Sequence, residues 1–221
     1  MTDVPGGRAV ITASLAIGVA VGLVGAAFGV LAVANGLTIA QACAMSMLVF
    51  TGASQFAAVG VLASGGSGAA AVASGLLLAA RNGVYGLALA PMLQGPLGRR
   101  LLAAQLVIDE TTAMATAQPD PAEQRRAFWL SGLAIFVLWN LGTLFGAISG
   151  GAIGDPAALG LDAAFPAGFV VLIGPHLRTT RGRQAALLAA VIVLVTTPFL
   201  RPGMPILAAA LAVLVGLRGD P

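Results

Sequence analysis

Ala9 to Ala80 reads AVITASLAIGVAVGLVGAAFGVLAVANGLTIAQACAMSMLVFTGASQFAAVGVLASGGSGAAAVASGLLLAA, 72 residues without one charged side chain. A helix crossing the hydrocarbon core of a bilayer needs about 20 apolar residues, so this stretch has room for about three passes. The whole chain of 221 residues is 58% hydrophobic and 9% charged, against about 25% charged in a soluble domain, with mean hydropathy +0.98. Eleven arginines and eight acids cannot cover the surface of a water-soluble fold this size. Composition therefore excludes a soluble enzyme, a nucleic-acid binder and a protein held by a single anchor. The apolar runs are continuous, whereas a transmembrane barrel alternates over about ten residues, and 30 glycines suit close approach of helices in lipid. The expected fold is an all-α polytopic membrane protein with one transmembrane domain over 1–221. The lone Cys43 has no partner in the chain for a disulfide. The apolar run after Arg8 exceeds the roughly 7–15 residues of a secretory h-region and is expected to stay as the first span.

Apolar length and turn residues place about seven spans, near 9–34, 37–63, 68–93, 127–150, 163–177, 184–199 and 203–217. Between them, 97–122 contains Asp109-Glu110-Thr111-Thr112. Two adjacent carboxylates at the bilayer centre would each cost about 3 kcal/mol, so a cytoplasmic surface, re-entrant or cavity-lining connecting helix is expected there. With that segment on one side, eight arginines (Arg99, Arg100, Arg125, Arg126, Arg178, Arg181, Arg183 and Arg218) oppose two (Arg8 and Arg201). The positive-inside rule then puts the amino terminus outside. A weak repeat relates Gly25-Ala26-Ala27-Phe28-Gly29 to Gly142-Thr143-Leu144-Phe145-Gly146. If it marks repeats 9–93 and 127–217, the span count makes them inverted, as in many secondary transporters.

Three clusters carry polar chemistry inside the apolar runs. Phe50-Thr51-Gly52-Ala53-Ser54-Gln55-Phe56 lies in the middle of the second span, where Gly weakens a helix and Thr, Ser and Gln compete for its backbone hydrogen bonds. An unwound turn there exposes backbone able to hold a zwitterion or ion, tolerated only where it lines a cavity; the plainer reading is small-residue packing with Gln55 bonding between helices. Pro166 and Gly168 would break a helix at the corresponding place in the second half. Arg81 falls near the centre of the third span with Asn82, and Tyr85 shares its face one turn on. An intramembrane Arg is functional or structurally paired, and its expected partner is Asp109 or Glu110. A partly buried carboxylate beside an Arg is suited to proton exchange in coupled transport; the plainer reading is a solvated helix face. Asn140 reads as an interhelical hydrogen bond, Trp129 as an interface aromatic and His176 as a helix-end polar group. No H-E-x-x-H and no Cys pair is present, so no metal site, no cofactor and no enzymatic activity are expected.

The order of these motifs, Phe50 to Phe56, then Arg81-Asn82 with Tyr85, then Asp109-Glu110-Thr111, resembles the AzlC family (also called YgaZ or BrnF). That family is the large subunit of bacterial branched-chain amino acid exporters. The resemblance covers nearly the whole chain and is strongest from Gly25 to Thr112; Gly83 departs from it, where a bulkier apolar residue is expected. It implies a multi-pass efflux permease of the bacterial inner membrane, exporting valine, leucine, isoleucine or methionine. It also implies coupling to the proton gradient and a small AzlD-type membrane subunit as partner. On that reading Thr51, Gly52, Ser54, Gln55, Asn82, Tyr85 and Pro166 would contact substrate, the Gly52 and Ser54 backbone taking the carboxylate and Thr51 and Gln55 the ammonium. Arg81, Asp109 and Glu110 would form the charge relay. A passive channel, or a structural subunit of a membrane complex for another small solute, is the alternative.

Overall fold

The computed structural model describes residues 8–150, 170, 173–174 and 176–214. Two long helices, α1 (Arg8–Ala34) and α7 (Pro121–Gly150), form its frame. Glycines recur at three- and four-residue spacing on α1, at 18, 22, 25 and 29, and at four-residue spacing on α7, at 142, 146 and 150, which strips side chains from one face of each helix. Lipid tails are as apolar as the side chains, so close backbone packing has to hold such helices together. A methyl group added at Gly25 would sit 2.7 Å from the Trp139 carbonyl oxygen. Contacts advance in step along the two helices: Gly18 meets Ala134, Gly25 meets Trp139, Gly29 meets Thr143 and Gly150 meets Val30. The helices therefore run parallel. The two similar segments of the sequence, 25–29 and 142–146, form a single interface.

This pair defines a start face, where α1 and α7 begin, and a far face, where they end. From the far face α2 (Ile39–Leu48) descends, its amino end capped by the Thr38 hydroxyl, which accepts from the Gln41 amide at 3.2 Å. It runs antiparallel to α7: the Ser46 hydroxyl donates to Thr143 Oγ1 at 3.1 Å, and Phe50 meets Phe136 with ring centroids 5.0 Å apart. Ten residues rise only about 15 Å, half the hydrocarbon thickness, and there the chain turns. Gly52, at φ +57° and ψ −81°, adopts a conformation that a side chain would oppose. Next, α3 (Ala53–Ala63) climbs back, so that its Ala58 and Val61 pack in one cluster with Met45 of α2. The 64–67 turn leads into α4 (Gly68–Leu89), which crosses to the start face.

A second pair enters from that opposite side. In α5 (Leu97–Gln105) the Arg99 guanidinium lies 5.7 Å from the Trp129 ring centroid. At the elbow Leu106 packs on Gly132, 3.2 Å from where a Cβ would be, about 16 Å along α7 from Pro121. Then α6 (Asp109–Thr116) returns along α7, and the Gln118 carbonyl accepts from Gln124 Nε2 at 2.9 Å. Leu106, Val107 and Ile108 are buried in the main core with Phe28, Phe128, Ile135 and Trp139. After the undescribed stretch come a 3₁₀ turn at His176–Arg178, α8 (Thr180–Thr196), α9 (Met204–Ala209) and a further 3₁₀ turn at Ala210–Val213. Gly203 sits beside Val61 and Ala70, which puts the start of α9 near the far face.

The all-α membrane architecture is as expected, but the path of the chain differs from seven consecutive spans. Among the described residues three helices, α1, α4 and α7, are long and apolar enough to cross a membrane. Segment 37–63 turns back at its midpoint, and 97–122 is two short helices with a buried elbow. The expected span at 163–177 lies largely outside the described residues, and 203–217 contributes a six-residue helix and a 3₁₀ turn. Because 37–63 does not cross, the crossing count changes by one. The similar segments 25–29 and 142–146 consequently lie on parallel helices where inversion was expected, and inversion appears instead between the two hairpins, which enter from opposite faces. The same change alters the distribution of arginines on which the expected orientation rests. Arg8, level with the start of α7, joins Arg99, Arg100, Arg125 and Arg126 at the start face, while Arg201 lies across the molecule next to Pro202, whose carbonyl faces Gly66. On this distribution the positive-inside rule favours the start face, and with it the amino terminus, as the cytoplasmic side.

Candidate functional site

The elbow between α2 and α3 lies against Phe136 to Asn140, midway along α7. Several of its buried hydrogen-bonding atoms have no partner within the protein. Ser54 is 1% exposed and Gln55 0%, yet Ser54 Oγ, Gln55 Nε2 and Thr51 Oγ1 have no hydrogen-bond partner in the protein. Burying a polar group without a partner costs about 1–3 kcal/mol each, and here three occur within five residues. Trp139, whose Nε1 is also buried without a partner, faces the elbow, its Cη2 3.7 Å from the Cβ position of Gly52; the next residue of α7, Asn140, has an unpartnered Oδ1.

The elbow has a defined polarity. Gln55 Oε1 accepts the Gly52 amide at 3.1 Å, which leaves its Nε2 as a free donor. The amides of Gln55 and Phe56 bond to the Gly52 carbonyl at 3.0 and 3.1 Å, while those of Ala53 and Ser54 fall in the first turn, where a helix supplies no acceptor. The α3 amino end carries no acidic side chain, so its partial positive charge is uncompensated. Opposite it, α2 ends in carbonyls, one of which (Met47) accepts from Gln105 Nε2 at 2.9 Å. Asn140 Nδ2 donates to its own helix at Phe136, 2.7 Å away, which aims its unpaired oxygen away from that bond. Donors for an anion and acceptors for a cation thus stand on either side of one turn.

Arg81 pairs with Asp109 at 3.4 Å. The Ser54 carbonyl lies 3.4 Å from the Cβ position of Gly75, and Arg81 is about 9 Å further along α4, toward the start face. The ion pair joins α4 to the amino end of α6, where Asp109 and Glu110 also complement the helix dipole. Asn82, with Oδ1 buried and without a partner, shares this level, and Tyr85 packs against the core a turn lower. The structure therefore separates the sequence candidates into two groups. Thr51, Gly52, Ser54 and Gln55 meet at the elbow; Arg81, Asn82, Asp109 and Glu110 gather below it, with Tyr85 lower still. Pro166 is outside the described residues. Trp139 and Asn140 were not among the site residues expected from sequence; Asn140, a polar residue in an apolar span, was the available signal. No group of three or more His, Cys, Asp or Glu able to hold a metal occurs among the described residues.

A family model described as AzlC protein matches residues 16–153. This range includes α1 from its second turn, both hairpins and α7. No curated protein matches the chain, and no solved structure does.

Proposed function

The chain belongs to the AzlC family, a transporter-type family associated with amino-acid export, and from that premise we propose that it is the permease subunit of a branched-chain amino acid exporter. In this reading it resides in the bacterial inner membrane, moves valine, leucine, isoleucine and also methionine outward, draws on the proton gradient and works with a small AzlD-type membrane subunit. One observation carries the substrate class: the elbow at Thr51 to Gln55 presents unpaired donors and unpaired acceptors at mid-membrane, which suits a zwitterion. The substrate carboxylate takes the first-turn amides of α3, Ser54 Oγ and Gln55 Nε2. Gln55 serves the carboxylate because its oxygen is already committed to Gly52. The ammonium takes Thr51 Oγ1, Asn140 Oδ1 and the carbonyl end of α2. Below, Arg81 and Asp109 close the route from the start face, and a proton arriving on Asp109 or Glu110 loosens that closure.

Reconstitution tests this. Vesicles loaded with labelled leucine, with and without the small subunit, should release it faster under an imposed pH gradient, and Arg81→Gln should abolish the gradient's effect. Flux that ignores the gradient would make the chain a passive channel. Leucine flux left intact by Ser54→Leu and Gln55→Leu would leave it a structural subunit.

A further inference from the structure

A cavity of about 550 Å³ lies between α3, α4 and the start of α9, lined by Ala57, Gly60, Val61 and Ser64 of the α3 arm, Leu78 of α4, and Gly203 and Ile206 at α9. Its two ends can be placed. Ala57 lies one turn beyond Ser54 toward the far face and Leu78 one turn beyond Gly75 toward the start face, so the inner end reaches the level of the elbow. Ser64 closes α3 at the far face, where it is exposed, so the outer end meets that surface. The volume sets the scale of an occupant. A six-carbon ring fits in about 150 Å³ and small-molecule sites occupy about 300–1,000 Å³, so this space takes a whole amino acid and not only its side chain. The walls are small or apolar, and a Cβ added at Gly60 would meet nothing within 4 Å. Gly60 therefore faces open space and is not packed against a neighbouring backbone, unlike the glycines between α1 and α7.

We propose that this cavity is the outward half of the transport path, leading an aliphatic amino acid from the elbow to the far face, with Gly60 as the wall position that keeps it wide enough. The proposal rests on the permease reading and extends it by assigning a route and a side. The state in the structure is accordingly open outward, with Arg81 and Asp109 shut beneath the elbow.

The test uses Gly60→Cys in a Cys43→Ser background, in cells whose outer surface alone meets a charged, membrane-impermeant thiosulfonate. Leu76→Cys, on the exposed side of α4 (67% exposed), serves as the lipid-facing control. The expected result is that Gly60→Cys reacts from outside, excess leucine slows the reaction several-fold, modification abolishes leucine export, and Leu76→Cys does not react. Reaction of Gly60→Cys with an uncharged, permeant maleimide but not with the charged reagent would overturn the proposal, because the cavity would then hold a lipid chain. Full-rate labelling that leucine does not slow, with export unchanged, would overturn it as well. Export by the Cys43→Ser chain with Gly60 intact is measured separately, so a chain that exports no leucine in that background contradicts the permease reading itself.

Discussion

The two hairpins are built alike and finished differently. Each brings a short helix to mid-membrane, turns through a few irregular residues and sends a second short helix back, one from each face. At the α5–α6 elbow the hydroxyl groups bind the turn's own backbone: Thr111 Oγ1 accepts the Ile108 amide at 3.0 Å and donates to the Leu106 carbonyl at 2.7 Å, and Thr112 Oγ1 donates to the Ile108 carbonyl at 2.7 Å. Leu106, Val107 and Ile108 fill the core around it. At the α2–α3 elbow the side chains that might have closed the turn, Thr51 and Ser54, bond to nothing in the protein. The first arrangement stabilises the fold, whereas the second holds unspent hydrogen-bonding capacity. Similar backbone topology therefore yields a closed strut in one place and a turn with unpaired side-chain atoms in the other, and the difference lies in a handful of hydroxyl groups.

Substitutions at the two elbows should separate along that line. The largest effect is expected from Gly52→Val. Its φ of +57° costs a side chain about 1–2 kcal/mol or more, and relief of the strain would reclose the turn. Leucine export should fall to background while the protein still inserts; a variant exporting at the wild-type rate would show that the turn's geometry is not needed. Ser54→Ala comes next. Losing one hydrogen bond to a charged ligand, about 1.5–3 kcal/mol, should raise KM for leucine tenfold or more, with thermal stability unchanged or slightly higher because a buried, unpartnered hydroxyl is gone. Thr111→Val should do the reverse. It strands the Ile108 amide and the Leu106 carbonyl and lowers stability by about 1–3 kcal/mol, seen as a lower melting temperature in detergent, while KM stays put. If Ser54→Ala destabilised the protein and Thr111→Val raised KM, the contrast between the elbows would collapse.

Much of this was legible from residue types. Helix-breaking Gly52 among Thr51, Ser54 and Gln55 marked a mid-membrane interruption, because lipid offers no partner for loose backbone. Arg81 called for a carboxylate, and Asp109 supplied it. The hydrogen bonding of Asn140 was hidden, since an Asn in an apolar span bonds to a neighbouring helix as readily as to its own; only the structure shows its amide turned to Phe136 and its oxygen left over. The direction of the chain after Gly52 was hidden too. Twenty-seven uncharged, mostly apolar residues from 37 to 63 satisfy the length of a crossing whether they run straight or fold back.

Apolar length and the near absence of charge settled on their own that the chain is helical and lives in lipid, because those properties are set by transfer from water and act residue by residue. Where the chain turns back, which way round it sits and which polar atoms remain unpaired were decided by packing. The parallel seating of α1 on α7 through their glycines, and Met45 packing with Ala58 and Val61, are contacts between residues distant in sequence, whose energies exist only once the helices have met.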